Sequence, residues 1–329
     1  MSEIEIRPMA DADLDEIVEL LGRALGPAPG GADRRELFVW KHLENHFGRS
    51  IALVAEDDGR IVGLRAFMRW EFDGPSGPYR AVRAVDTATD PAVQRRGIFS
   101  RLTRAALEAC REDGVDLVFN TPNQKSLPGY LKMGWTQVTR WPIWLRVRRP
   151  LALGGAALRR DLSPGGPMPV APGVLVPAAE ALGDGLALHP EAVPDRVHTR
   201  RSLPYLRWRY ASGPIPYHAL TADDATVILR VRSRGRLPEA VVTEVIAPDA
   251  ATARRALSAA VRASGAGHAA AHFGPQWPAR AGLRRAGFLH PPRAGMTFTV
   301  RPVSDRTGPG GGFTNRETWS FTLGDLEVF

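Results

Sequence analysis

The 329-residue chain contains one cysteine and three lysines, and it has no long apolar run. A single thiol, Cys110, excludes an internal disulfide. Cys110 sits on the apolar side of a helical stretch, which makes it a small buried hydrophobe. The alternative, a catalytic thiol, has no histidine near it in sequence to generate a thiolate. No segment approaches the roughly 20 apolar residues that a membrane span needs, so no membrane partner is expected. The opening residues, MSEIEIRPMADADLDEI, are acidic and alternating. They lack the basic flank and apolar core of a secretory signal, and a cytoplasmic protein is expected. Metal-ligand spacing is missing too. His268 and His272 are four apart but straddle a turn and a strand, with no third ligand nearby, so no metal site is expected.

The scarcity of lysine sets the character of the charge. Lys41, Lys125 and Lys132 are the only lysines among 43 basic residues, which face 35 acidic ones for a net charge of +8. A basic surface suits anionic partners. The arginines are scattered, however, with no long basic run and no zinc or helix-turn-helix signature, which argues against nucleic acid. A polyanionic small ligand such as a nucleotide-bearing coenzyme accounts for the balance equally well. Hydrophobic residues make up 44 %, enough for substantial cores, and the length suits two domains of roughly 150 residues each.

Ile4–Pro8 alternates as a strand does, and Ala12–Ala24 carries Leu14, Ile17, Val18 and Leu21 at helical spacing. A Gly/Pro loop, Gly26–Gly31, precedes a segment containing Trp40, Lys41 and His42. Ser50–Glu56 and Arg60–Trp70 read as strands joined by Asp57-Asp58-Gly59, a hairpin signal. A strand over Arg80–Thr89, a helix over Phe99–Arg111, a buried strand over Val115–Asn120, a short helix over Ser126–Met133 and a strand after Trp135 follow. This order predicts a mixed, mostly antiparallel sheet with helices on its faces.

Residues 151–177, rich in Gly, Pro and Ala, read as a linker between a domain over 1–150 and a second over 178–329. The second half repeats themes of the first. Tyr205–Tyr210 echoes Phe38–His42. Strands over Thr226–Arg232 and Ala240–Ala247, a helix over Ala250–Ser264 and a strand over Ala269–Phe273 follow. Leu283-Arg-Arg-Ala-Gly287-Phe288 has the layout of Tyr130-Leu-Lys-Met-Gly134-Trp135. The pattern reads as a tandem duplication, closing on a last strand over Thr318–Leu323.

One segment carries chemistry: Val85-Asp-Thr-Ala-Thr-Asp-Pro-Ala-Val-Gln94-Arg95-Arg96-Gly97-Ile98-Phe99-Ser100. A strand enters a tight turn and a helix begins at once, so the N–H groups of Arg95–Ser100 point into one concavity at a helix N-terminus. Such a concavity binds phosphate. Gly97 permits close backbone approach, and Arg95 and Arg96 add charge at the rim. An ordinary capped turn with solvated arginines is the other reading of these residues alone.

Here the chain resembles the GNAT superfamily of acyl-CoA N-acyltransferases. That family's Gln/Arg-x-x-Gly-x-Gly/Ala motif is matched by Gln94–Phe99, with Phe99 in place of the final small residue. A second match runs from Asn120 through Asn123, Ser126 and Tyr130 to Gly134-Trp135. The resemblance covers about residues 3–148. It implies a fold of the α/β (α+β) class, with two GNAT-like domains whose second copy is degenerate. It implies acetyl-CoA as acyl donor, held by Thr87, Ala88, Thr89, Gln94, Arg95, Arg96, Gly97, Ile98, Phe99, Ser100, Asn120, Asn123 and Ser126. Tyr130 falls where the family places the acid that protonates the departing thiolate; a core aromatic is the alternative. Asp86 is the nearest carboxylate on the coenzyme strand. It serves as general base, or pairs with Arg83, or leaves that duty to a water chain. Trp40, Lys41 and His42 either pack or touch the acceptor.

The second copy has Pro248-Asp249-Ala250-Ala251 where the first has Gln94-Arg-Arg-Gly97, and Asp249 is placed to cap its helix. Leu283 stands in the position of Tyr130. The second domain is therefore expected to shape an acceptor cleft or a subunit interface, which leaves a homodimer open. Two functions fit: an N-acetyltransferase acting on an amine, or a non-catalytic acyl-CoA-binding sensor on the same fold.

Overall fold

The computed structural model describes residues 4–28, 31–159, 161–171, 173–188, 195–275, 277–292 and 294–326. Residues 29 and 30 of the Gly26–Gly31 loop, and residues 160 and 172 of the expected linker, lie outside them. The chain runs β1 (Glu5–Pro8), α1 (Leu14–Leu25), α2 (Arg34–His42), β2 (Ile51–Asp57), β3 (Arg60–Asp73), β4 (Tyr79–Thr89), α3 (Ile98–Glu112), β5 (Leu117–Asn120), α4 (Leu127–Lys132), β6 (Thr136–Pro142) and β7 (Trp144–Val147). It continues through α5 (Pro150–Leu158), β8 (Pro164–Pro167), β9 (Val176–Pro177), α6 (Ala178–Ala181), β10 (His198–Thr199), α7 (Leu203–Tyr210), β11 (His218–Ala222), β12 (Ala225–Arg234) and β13 (Leu237–Ile246). The remainder is α8 (Ala250–Ala263), β14 (His268–Ala271), α9 (Pro278–Gly282), β15 (Gly295–Pro302) and α10 (Leu323–Leu326). Among the described residues no helix is long and apolar enough to cross a membrane.

Two compact units result. The first takes the chain up to Ala28, Ala32–Thr139 and Thr297–Arg316; the second takes Arg140–Met296 and the residues from Glu317 onward. The first sheet runs β1-β2-β3-β4-β5-β15-β6, the second β7-β14-β13-β12-β11-β9 with β8 on β12. Both are mixed: β4–β5 and β13–β14 are parallel pairs in otherwise mostly antiparallel ladders.

This division differs from boundaries at 150 and 178, because each unit borrows a strand from afar. β15 pairs antiparallel with β5 in the first unit, and β7 pairs antiparallel with β14 in the second. The stretch 151–177 is not a plain linker, since it holds α5, β8 and β9. The last strand is also relocated. Thr318 to Leu323 are buried at every position, and among the described residues the segment makes isolated bridges, Val197 with Trp319 and Phe273 with Thr322, rather than a ladder. The final ladder strand is β15, whose Phe298 and Val300 are fully buried.

The first unit buries both faces of its sheet. On one face α1 and α2 pack Leu14, Ile17, Leu20, Leu21 and Phe38 against Val54, Ile61 and Leu64. On the other α3 lays Ile98, Leu102, Ala106 and Cys110 against Leu53, Ala55, Val62, Phe67, Val82 and Ala84. Burial pushes the Cys110 thiol up to about 12, which fits an inert core residue.

The approach of α3 to β3 is set by Gly63. A Cβ there would lie 2.8 Å from Ile98 Cγ2, 3.0 Å from Leu102 Cδ1 and 3.1 Å from Ala55 Cβ. Gly63→Ala should therefore lower stability by about 1–3 kcal/mol, the cost of overpacking a close-packed core. Chemical denaturation measures it, and an unchanged midpoint would mean that α3 can move away freely.

Candidate functional site

The site begins with a break in β4. Val82 and Ala84 face α3, and strict alternation would carry Asp86 and Ala88 to the same face. They do not go there. Leu64 pairs with Ala88 while Ala66 pairs with Val85, so Arg65 alone opposes both Asp86 and Thr87. This is a β-bulge, and Asp86 takes φ 42°, in the left-handed region that Asp tolerates better than most residues. Ala88 is thereby turned into the core beneath α1 and α2.

The bulge is pinned by charge. The Asp86 carboxylate accepts from Lys41 Nζ and lies 2.8 Å from His42 Nε2, both on α2. His42 Nδ1 lies 2.8 Å from Ser50 Oγ. Lys41 and His42 are themselves buried. Burial pushes the His42 imidazole below its ordinary value, against the pull of Asp86, so the ring is neutral at neutral pH. Burial pushes the Asp86 carboxyl up, but Lys41 and His42 outweigh it and hold the group well below the usual carboxylate range. Asp86 thus pairs with Lys41 and His42 rather than with Arg83, whose Nη2 donates to Thr121 Oγ1 at 2.9 Å.

Beyond Thr89 the chain turns through Asp90, whose side chain caps the short helical turn Pro91–Val93 by accepting from the Ala92 N–H. Arg95 (φ 69°) and Gly97 (φ 75°) are both left-handed, and α3 starts at once behind Gly97, an N-cap residue that makes no side-chain cap. Space lies open where a Gly97 side chain would project. A cavity of about 400 Å³ is lined here by Ala24, Leu25, Thr87, Ala88, Thr89, Gln94, Arg95, Gly97, Ile98 and Phe99. Free amides at a helix N-terminus, the positive end of the helix dipole and an arginine together suit a phosphate.

Eight residues expected at the coenzyme therefore meet at one cavity. Others stand apart from its lining. Arg96 is tied to Asp57 at 2.5 Å. Ser100 follows on the first turn of α3. The Asn120 side-chain carbonyl accepts from Thr299 Oγ1 in the core. Asn123 accepts from the amides of Lys125 and Ser126 at 2.9 and 3.0 Å, organising the turn that leads into α4. Ala24 and Leu25 join the cavity from the end of α1, a contribution that only tertiary structure reveals.

Tyr130 is buried on α4, with its ring 6.3 Å from Phe99 and 5.2 Å from Trp135. Its link to the cavity wall is Arg65, whose side chain is fully buried. Arg65 Nη1 donates to the Thr87 hydroxyl and to the Tyr130 hydroxyl at 3.2 Å. Neither Arg65 nor the pairing of Lys41 with Asp86 was signalled by sequence spacing, since both are contacts between elements far apart in the chain.

The second unit repeats the order helix, three antiparallel strands, helix, parallel strand, helix in α7, β11, β12, β13, α8, β14 and α9. Its equivalent turn is closed. Asp249 accepts from Ala251 N at 2.8 Å and from Thr252 N at 2.9 Å, occupying the donors that α3 leaves free. His268 lies 3.2 Å from Glu239, and His272 Nδ1 lies 2.7 Å from the Pro142 carbonyl.

Residues 5–138 match the family model of the acetyltransferase (GNAT) domain. No curated protein sequence matches the chain. Among solved structures, a GCN5-related N-acetyltransferase from Kribbella flavida is similar at 19 % identity and TM-score 0.63, covering 92 % of this chain and 71 % of that one. Eis1 from Mycobacterium abscessus is similar at 16 % identity and TM-score 0.57, with 92 % and 74 % covered. A probable N-acyltransferase from Enterococcus faecalis V583 is similar at 14 % identity and TM-score 0.62, with 92 % and 73 % covered. At these identities the likeness concerns the fold.

Asp86→Asn should leave the Lys41 ammonium buried without a counter-charge, at a cost of about 3–5 kcal/mol. Replacing both members, Lys41→Met with Asp86→Leu, should recover most of that loss. The folded-state carboxyl is depressed, so the stabilisation is present above the ordinary carboxylate value of about 3.9 and fades only as pH falls towards the lower folded one. Thermal unfolding of the single and double variants between pH 3 and 8 measures both effects. A single variant as stable as the parent would mean that the pair does not hold the bulge.

Proposed function

With a GNAT acetyltransferase domain over residues 5–138, we propose that the protein moves an acetyl group from acetyl-CoA to an amine of a small molecule or peptide by direct attack. The observation that carries this is the uncapped start of α3, with Arg95 and Gly97 at the mouth of a cavity walled by the bulged end of β4. Pyrophosphate fits the amides of Arg95–Ser100 at the start of α3, and the pantetheine arm fits along Thr87–Thr89. The second unit, with its turn capped by Asp249, is a degenerate copy that serves the acceptor side or a subunit interface, compatible with a cytoplasmic homodimer.

In the reaction the amine nitrogen attacks the thioester carbonyl, and a backbone N–H near Thr87–Thr89 stabilises the oxyanion. The carbon–sulfur bond then breaks, and Tyr130 gives its proton to the departing thiolate. Asp86, anionic at any working pH, takes the amine proton. Its pairing with Lys41 and His42 makes it a weak base, and a water chain can carry the amine proton in its place. One observation favours a non-catalytic acyl-CoA sensor as the second reading: Phe99 lines the cavity at the position of the expected small residue. Release of free CoA thiol with a panel of amines separates the two, because a sensor binds without turnover.

Calorimetry should give one acetyl-CoA site per chain, and Gly97→Asp should abolish it by setting a negative charge against the pyrophosphate while the fold remains. Two equivalent sites, or unchanged affinity in the variant, would misassign the loop. Tyr130→Phe keeps the ring and removes the hydroxyl. Turnover should fall roughly 10²-fold, with affinity for acetyl-CoA moving much less. A stable, fully active variant at saturating acetyl-CoA would remove Tyr130 from the mechanism and leave water as the proton source.

A further inference from the structure

Arg65 is out of place by every rule of core composition. Its side chain is fully buried on the central strand β3, with the guanidinium carbon 4.7 Å from the centre of the Phe67 ring and 5.3 Å from those of Phe99 and Tyr130. Its Nε and Nη2 are sealed from solvent and make no hydrogen bond, and no carboxylate pairs with it among the described residues. Its bonds are donated by Nη1, to the hydroxyls of Thr87 and Tyr130. A buried cation without a counter-ion is costly, whereas the ion pair at Lys41 and Asp86 on the other face of the same sheet is fully matched. The sequence at this point, Gly63-Leu64-Arg65-Ala66-Phe67, would accommodate an apolar side chain.

The position of the cation supplies a reason. A phenol has one proton to donate and two lone pairs to accept with. Because Arg65 occupies a lone pair of the Tyr130 oxygen, the phenolic proton points elsewhere. The Tyr130 hydroxyl donates to no group among the described residues, so that proton is uncommitted. We infer that Arg65 is a positioning residue for the acyl-transfer step: it aims the Tyr130 proton away from the protein and holds the negative charge left on the phenol oxygen once the proton has passed to sulfur. The missing counter-ion is then the phenolate itself, formed transiently. Thr87 on the bulge fixes the other side of the same nitrogen and sets Arg65 in register with the cavity wall. This inference rests on Tyr130 being the acid.

The step balances without a further reagent. The carbon–sulfur pair leaves with CoA, the sulfur takes the Tyr130 proton, and the phenolate regains a proton from solvent before the next turnover.

The test is a four-variant cycle of parent, Arg65→Met, Tyr130→Phe and the double variant. Hydroxylamine serves as a small nucleophilic acceptor, and thiol release from acetyl-CoA is followed after subtraction of the uncatalysed rate. Arg65→Met should lower kcat roughly 10- to 100-fold, the scale of one positioned proton donor. The KM for acetyl-CoA should stay within about twofold, because the contribution arises in the transition state. In the Tyr130→Phe background the same change should cost less than about threefold. Arg65→Lys, which keeps a cation, should recover part of the rate. The melting temperature of Arg65→Met should be equal to or above the parent's, which a structural role for the guanidinium does not predict. Equal losses in both backgrounds, a fall confined to KM, or a lowered melting temperature that accounts for the lost rate overturns the role of Arg65 while Tyr130 stands. A fully active Tyr130→Phe, or no enzyme-dependent release by the parent, overturns the acid assignment and this inference with it.

Discussion

The first unit depends on one irregularity, the two-against-one pairing of Asp86 and Thr87 with Arg65. A regular ladder at this point would send Asp86 into the apolar face beneath α3 and withdraw Thr87 from Arg65. The bulge instead separates the two neighbours. Asp86 turns to Lys41 and His42 of α2, and Thr87 turns to a cation on β3. A left-handed Asp is tolerable only where its surroundings over-determine it, and Lys41 and His42 do so from a helix more than forty residues upstream. The cavity wall, the register of β4 with β3 and the placement of Arg65 all follow from that junction.

The strand–turn–helix form of the Val85–Ser100 segment was legible because its determinants are local. A strand, a turn with Gly97 and a helix lie within fifteen residues, and the hydrogen bonds they lack or make concern neighbouring amides. Asp249 was legible for the same reason, as a cap acts over two or three residues. The hairpin at Asp57–Gly59 and the helices with apolar residues at three-four spacing follow from the same short range. What escaped is long-range by nature. Alternation along Arg80–Thr89 gives no hint that Arg65 opposes two residues, since that is a property of the partner strand. Trp40-Lys41-His42 reads as a segment that packs or touches the acceptor, and the roles of Lys41 and His42 emerge only when Asp86 arrives beside them. Trp319, Phe321 and Leu323 alternate with small polar residues in the sequence, as a half-buried strand would, yet Ser320 and Thr322 are as buried as their apolar neighbours and the segment forms isolated bridges instead of a ladder.

Arginine took an unexpected place. Scattered cations in a sequence so poor in lysine read as solvated charge, yet Arg65, Arg83 and Arg209 are among the most deeply buried large side chains. Each lies over an aromatic ring: Phe67 for Arg65, Phe119 for Arg83, Tyr210 and Tyr217 for Arg209. A planar, weakly hydrated guanidinium can be stacked in this way where a compact ammonium cannot. Arg209 also donates to the Tyr217 hydroxyl and the Gly324 carbonyl. Composition reported the number of cations correctly but could not report their depth.

The exchange of strands between units has a consequence for how the protein comes into being. The edge of β5 that receives β15 lies at residues 117–120, while its partner is made at 299–302. A ribosome extends the chain from the N-terminus, so roughly 180 further residues must emerge before the first sheet can close. During that interval β5 exposes an open edge, a template for pairing with other nascent chains. The contact also spans more than half the chain, so its loop must be closed late and at an entropic cost that a self-contained domain avoids. Birth order and folding order therefore diverge: the first unit begins to emerge before the second, yet its sheet closes only after most of the second has been made.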